Sequence, residues 1–115
     1  MIKVVGLLTR RPELTHHQFV AHWLNIHAPL ALAVPGLRRY VQSHVIGTRT
    51  RPDIPETHVE IDGIAELWYD DEAALARAAA TPEMKRLTDD GARFIGQIKS
   101  YLVEEKQIIP VATGF

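Results

Sequence analysis

Cysteine is missing from all 115 residues. That removes thiolate nucleophiles, disulfide staples and cysteine-based zinc sites together. Long apolar runs are also missing: Ala-Pro-Leu-Ala-Leu-Ala-Val around Pro29 falls well short of the ~20 residues a membrane helix needs, so no membrane partner is expected. There is no excess of one charge, the net being −1 with six histidines counted neutral, which argues against nucleic acid as a partner. No His-x-His or His-Glu-x-x-His pair, Gly-rich phosphate cradle or serine elbow occurs. The apolar run Val4–Leu8 precedes Arg10 and Arg11, the reverse of a secretory leader, and the expected address is the cytoplasm.

What remains is ordinary globular composition, 46% hydrophobic and 23% charged, at a length that suits one domain over residues 1–115. The charges are unevenly spread. Residues 1–51 carry seven Lys/Arg against Glu13 alone, and the rest carries six against thirteen acids. In one compact domain such halves neutralise each other across the fold or across a subunit contact.

Residues 2–9 are β-branched and apolar and read as a strand stopped by Arg-Arg-Pro. Thr15 with Gln18 three residues on forms a capping box that opens a helix. Phe19, Trp23, Ile26 and Leu30 follow as one helical stripe. Pro29 disfavours helix just before it, so a break is expected near His27–Ala28. Leu37 to Ile46 alternates as a second strand, with Tyr40, Gln42 and His44 on one side. Gly47 to Glu60 has no period and is a long loop. Gly63 to Tyr69 is a third strand, with Ile64, Glu66 and Trp68 on one face and Ala65, Leu67 and Tyr69 on the other. Asp71 to Ala80 is helical, Thr81-Pro82 restarts the helix as cap and first-turn proline, and Arg93-Phe94-Ile95 closes it. Ser100 to Ile108 reads as the fourth strand, and Pro110–Phe115 has no assignable pattern.

The order β-α-β-β-α-β is that of the α+β, ferredoxin-like fold: a four-stranded antiparallel sheet with helices on one face. The first and third strands are apolar on both sides. Two helices cover only one face, and the other would leave an apolar surface larger than monomers usually carry. A homodimer through facing sheets is the expected cover.

His27 is the strongest lead. With Phe19 at 0° and about 100° per residue, Trp23 falls near 40°, Ile26 near −20°, and His27 at about 80°, inside the apolar arc. Imidazole can act as acid or base near neutrality, although a histidine on such a stripe can equally be a packing residue. Tyr40 is either edge packing or a phenol aimed at a carbonyl or oxyanion. Glu66, between Ile64 and Trp68, needs a partner or a purpose: an ion pair with Arg38, Arg39 or Lys99, or the role of base or orienter for His27. Trp23, Trp68 and Phe19 are core or pocket wall, while His44, His58 in the long loop and Arg11 are further candidates for substrate contact. His17 and His22, or His22 and His27, are five apart and so about 140° apart on an α-helix, which does not suit chelation; no metal is expected.

Several segments together resemble the EthD family of the dimeric α+β barrel superfamily. They are Leu-Leu-Thr-Arg-Arg-Pro-Glu-Leu-Thr at 7–15, Phe19-x3-Trp23-x3-His27-Ala28-Pro29, and Pro35-Gly36-Leu37-Arg38-Arg39-Tyr40-Val41-Gln42. Asp62-Gly63-Ile64-Ala65-Glu66-Leu67-Trp68 and Asp89-Asp90-x3-Phe94 complete the series. The resemblance implies a ferredoxin-like protomer, a sheet-to-sheet dimer and a small pocket between sheet and helices. Family members are associated with degradation of ethers and aromatics, polyketide tailoring and methylmuconolactone isomerisation, working without metal or organic cofactor. In the isomerase relatives the helix histidine and second-strand tyrosine belong to the active site, which carries over to His27 and Tyr40. Those relatives also use a third-strand cysteine and a further histidine. This chain has no cysteine, and His58 aligns only loosely.

The expectation is a cofactor-independent enzyme acting by proton transfer (isomerisation, cyclisation or dehydration) on a small hydrophobic, aromatic, polyketide-like or lactone ligand. His27 would shuttle the proton, Tyr40 polarise an oxygen, Glu66 assist, and Trp23 and Trp68 wall the pocket. The rivals are a cofactor-free oxygenase of an electron-rich phenol and a non-catalytic dimer that binds a hydrophobic metabolite or supports another enzyme.

Overall fold

A computed structural model describes residues 1–111; the last four residues of the unassigned Pro110–Phe115 stretch lie outside the described residues. The elements are β1 (Ile2–Arg10), α1 (His16–His22), a π turn (Trp23–His27), α2 (Ala28–Ala31), β2 (Arg39–His44), β3 (Gly63–Tyr69), α3 (Glu72–Ala79), α4 (Pro82–Phe94) and β4 (Ile95–Val103). The sheet runs β2-β3-β1-β4 with every pairing antiparallel. This is the expected ferredoxin-like arrangement.

The caps form as their sequences dictate. Thr15 Oγ1 accepts from the Gln18 N–H while Gln18 Oε1 accepts from the Thr15 N–H, satisfying two donors that the first turn leaves free. Asp71 caps α3 through the Ala74 N–H, and Thr81 caps α4 through the Met84 N–H ahead of Pro82. Residues 47–60 form no strand or helix. The base of this loop is tied by buried Asp62, whose carboxylate accepts from the backbone N–H and guanidinium of Arg10 and meets His16. Burial works against the charged form of Asp62, but these hydrogen bonds outweigh it and hold the carboxyl below its ordinary range.

Three expectations need correction. First, the regular helix is interrupted up to His27–Ala28, near the expected place, but by a widened turn and not by an opening of the chain. The chain widens into a π turn in which the Ala28 N–H reaches back five residues to the Trp23 carbonyl, and α2 follows directly with Pro29, which has no N–H to donate into the ladder, inside its first turn. Second, the wider turn changes the phase of the buried stripe. Phe19, Trp23, His27 and Ala31 are buried, while Ile26 is 53% exposed. Third, β4 begins at Ile95 and not at Ser100. α4 passes into it without a loop, Ile95 already having extended backbone, and Gly96 lets the strand start hard against β1: a Cβ there would lie 2.6 Å from the Arg10 carbonyl oxygen.

Register fixes the two faces of the sheet. Tyr40 pairs with Leu67, Gln42 with Ala65 and His44 with Gly63, and Val4, Gly6 and Leu8 lie level with Leu67, Ala65 and Gly63. These residues face the helices. The core there has two parts, one around Tyr69, Ala78 and Leu87 beneath α3 and α4, the other around Phe19, Trp23 and Phe94 beneath α1 and the π turn. Lys3, Val5, Leu7, Val41, Ile64, Glu66 and Trp68 occupy the opposite face by the same alternation.

Candidate active site

Between the helix-facing side of the sheet and the π turn and α4 lies a cavity of about 360 Å³. Val4, Leu8, Leu67, Leu87 and Ile95 supply much of its apolar wall. His27, Tyr40, Thr88 and Ser100 are its hydrogen-bonding side chains apart from the Trp23 indole, and no charged residue lines it.

His27 reaches the cavity because the π turn keeps it in line with Phe19 and Trp23. The residue is 8% exposed, and its Nδ1 lies 2.8 Å from Asp90 Oδ2. A carboxylate only accepts, so the shared proton sits on Nδ1 and leaves Nε2 with a lone pair. Among the described residues no buried side-chain nitrogen or oxygen lacks a partner. Among the described residues Nε2 makes no hydrogen bond, so it is the open atom of the ring, on the residue that lines the cavity. Burial pushes this imidazole below its ordinary pKa; the hydrogen bond and charge of Asp90 pull upward, and neighbouring His22 adds to the lowering. The net effect favours a neutral imidazole, the form that accepts a proton.

Asp90 is itself only 6% exposed, on the buried stripe of α4 with Leu87, Gly91 and Phe94. It also binds the other histidine, with His22 Nε2 at 3.0 and 3.1 Å from its two oxygens. Phe94 stacks against the His22 ring and meets the His27 ring edge-on, at centroid distances of 4.6 and 5.0 Å, which restrains both imidazoles.

Tyr40 enters from β2. Its hydroxyl oxygen accepts from Gln42 Nε2 at 2.9 Å, and the same amide donates to the Trp23 carbonyl. Gln42 Oε1 in turn meets His44 Nε2 at 2.9 Å. With its oxygen already accepting, the phenol has its own O–H to donate. Burial raises its pKa, against which the Gln42 and Trp23 hydrogen bonds work, and the net shift is upward. Tyr40 thus stays a protonated donor.

The cavity brings together three of the residues singled out from sequence: Trp23, His27 and Tyr40. Glu66 is elsewhere, on the opposite sheet face, where its Oε2 accepts from Lys3 Nζ at 2.7 Å. It can neither orient His27 nor share its cavity. The partner that does orient His27 is Asp90, and the Glu66 ion pair is made with Lys3 and not with Arg38, Arg39 or Lys99. Trp68 shares the Glu66 face, lies under Arg39 and Lys3, and donates its indole N–H to Glu105. Phe19 is fully buried behind Trp23 and Phe94. His44 packs on Trp23 without lining the cavity. His58 belongs to a separate hollow within the 48–59 loop, and Arg11 pairs with Glu13 and the Ala92 carbonyl at the surface. Asp90 and His22 carried no assigned role, although an aspartate on the apolar stripe of α4 was a readable signal.

Comparison with known proteins decides the family. The EthD domain matches residues 11–98. The chain belongs to the EthD family. It is 30% identical over 106 residues, spanning 91% of this chain and 98% of the relative, to a 4-carboxymethyl-4-methylbutenolide mutase of Pseudomonas reinekei. A crystal structure of an EthD family protein from Bacillus halodurans superposes with a TM-score of 0.74 at 30% identity, covering 92% of this chain and 99% of that one. A dimeric ferredoxin-like protein from Thermobifida fusca superposes with a TM-score of 0.63 at 14% identity, covering 89% and 88%, and shares the fold. Among the described residues no helix is long and apolar enough to cross a membrane, and no group of three or more potential ligand residues could hold a metal ion.

Proposed function

We propose that this EthD protein is an isomerase that moves a proton on a small carbonyl compound bound in the cavity. One observation carries the reading: a carboxylate-oriented imidazole and a phenol line the same apolar hollow. His27 Nε2 takes a proton from a carbon activated by the carbonyl. The C–H electron pair moves into the π system, and the carbonyl oxygen gains the charge. Tyr40 donates its O–H to that oxygen, in surroundings dry enough to make the hydrogen bond strong. Asp90 stabilises the imidazolium and holds its ring in place. Return of the proton to a different carbon completes the isomerisation and restores the imidazole.

The mutase relative supports this class of chemistry, and no separate observation favours the oxygenase. The same reading takes the protein as a homodimer through the Glu66 face of the sheet, which carries Val5, Leu7, Val41 and Ile64; sedimentation at micromolar concentration tests it. The enzymatic claim is tested by incubating the protein with butenolides in deuterium oxide and following deuterium uptake and product by NMR. Exchange and turnover are expected for the wild type and not for His27→Ala, with folding checked by circular dichroism. A folded His27→Ala that exchanges as fast as wild type removes His27 from the mechanism and the proposal with it.

A further inference from the structure

We infer that the cavity accepts an uncharged guest and discriminates against carboxylates. The inference rests on the proposed reading of the cavity as a substrate site and adds the charge of what it takes. Its ground is the placement of the cations. Alternation along the strands sends Lys3, Arg39 and Lys99 to the opposite sheet face, where Lys3 binds Glu66 and Arg39 covers Trp68. Arg10 is committed to Asp62 and Arg11 to Glu13. No lysine or arginine lines the cavity.

The carboxylate behind its wall, shared by His27 and His22, has the wrong sign for an anionic guest. Asp90 is buried directly behind His27, and His27 is held toward its neutral form. A carboxylate entering here would give up hydration and find only the Tyr40, Thr88 and Ser100 hydroxyls and the His27 imidazole as polar partners, with no cation among them. Burying an ion without a counter-charge is far more costly than burying a neutral polar group. A carbonyl flanked by apolar substituents needs only one or two donors, and the cavity supplies them.

A pair of probes that differ in charge tests this: 4-carboxymethyl-4-methylbutenolide and its methyl ester. Binding is titrated at pH 8 by tryptophan fluorescence, Trp23 forming part of the cavity wall, on the wild type and on His27→Ala. The ester is expected to bind at least tenfold more tightly than the acid to both. Ile98 lines the cavity from β4 and is 59% exposed, so Ile98→Lys can add a cation at the rim without filling the core, and it is expected to narrow the ratio. Equal or tighter binding of the acid, binding of neither probe, or an unchanged ratio in a folded Ile98→Lys overturns the inference. Preferential binding of the ester without turnover leaves the selectivity standing and removes the isomerase reading. Faster turnover and tighter binding of the acid does the opposite.

Discussion

His22 and His27 hold the same carboxylate although they lie five positions apart. On an α-helix that spacing leaves two side chains about 140° apart, too far round for a common partner. The π turn at Trp23–His27 closes with a bond spanning five residues, which brings positions five apart onto nearly one face. Asp90 meets both imidazoles there, 2.8 Å from His27 and 3.0 Å from His22. The proline at position 29, which cannot donate into a regular ladder, follows directly on this turn. A local backbone irregularity is thus tied to the buried carboxylate that stands behind His27.

Asp90→Asn separates orientation from packing. The amide keeps the shape of the carboxylate and loses its charge, so the imidazolium formed during proton transfer has no counter-ion. Turnover is expected to fall by about 10²–10⁴-fold, the range associated with a positioned acid–base group. Stability is expected to drop by about 1–3 kcal/mol, as is usual when buried hydrogen-bond partners are mismatched. Steady-state kinetics and urea unfolding measure the two effects. Wild-type turnover in Asp90→Asn would remove Asp90 from the mechanism.

The pH profile follows from the environment of His27. Its working form is neutral, and burial lowers its pKa, so kcat/KM is expected to rise with pH through a midpoint below the unperturbed ~6.5 and then level off. Asp90 pulls that pKa up and His22 pushes it down. Asp90→Asn is therefore expected to move the residual limb to lower pH and His22→Ala to move it higher. The sign for stability is the same. Below ~6.5 the unfolded imidazole binds a proton that the folded one refuses until lower pH, so this contribution is full above ~6.5 and declines as pH falls towards the folded pKa. Thermal midpoints of wild type and His27→Gln across pH 5–8 check it.

Tyr40→Phe and Glu66→Gln are a matched pair, one on each face of the sheet. The first removes the donor in the cavity, and kcat is expected to fall about 10²–10³-fold, as for loss of one oxyanion donor, with KM little changed. The second alters only the Lys3 ion pair on the far face, and turnover is expected to stay within about twofold of wild type. The reverse ranking in a butenolide assay would show that the catalytic face had been misassigned.

The placing of Glu66, expected beside His27 and found on the far face with Lys3, shows how far residue patterns reach. The order of elements, the caps and the alternation that groups Ile64, Glu66 and Trp68 are all legible, because each depends on short-range spacing. Which face of β3 the helices cover is not. Both faces are rich in apolar side chains, so period-two alternation has two equally good solutions, and only tertiary pairing chooses between them. Asp90 was legible as an anomaly, an acid at the i+3 position after Leu87 on a buried stripe. Its partner histidines were hidden by the assumption of regular α-helical phase.

Gly63→Ala tests the packing that holds the cavity wall in place. Gly63 sits on the helix-facing side of β3 opposite His44, and a Cβ there would lie 2.3 Å from Cζ3 and 2.7 Å from Cη2 of Trp23. The fully buried indole has no free direction in which to yield, so a cost of about 1–3 kcal/mol or more is expected from overpacking, together with a changed tryptophan emission. Gly91→Ala is the control. Its Cβ would meet Ile95 and His27 at 3.6 and 3.8 Å, ordinary contact distances, and alanine is favoured over glycine within a helix by roughly 0.5–1 kcal/mol. Unfolding in urea should therefore find Gly63→Ala well below wild type and Gly91→Ala at or above it. A Gly63→Ala protein as stable as wild type would mean that the Trp23 ring does not rest on the β3 backbone, and that the cavity wall is held by other contacts.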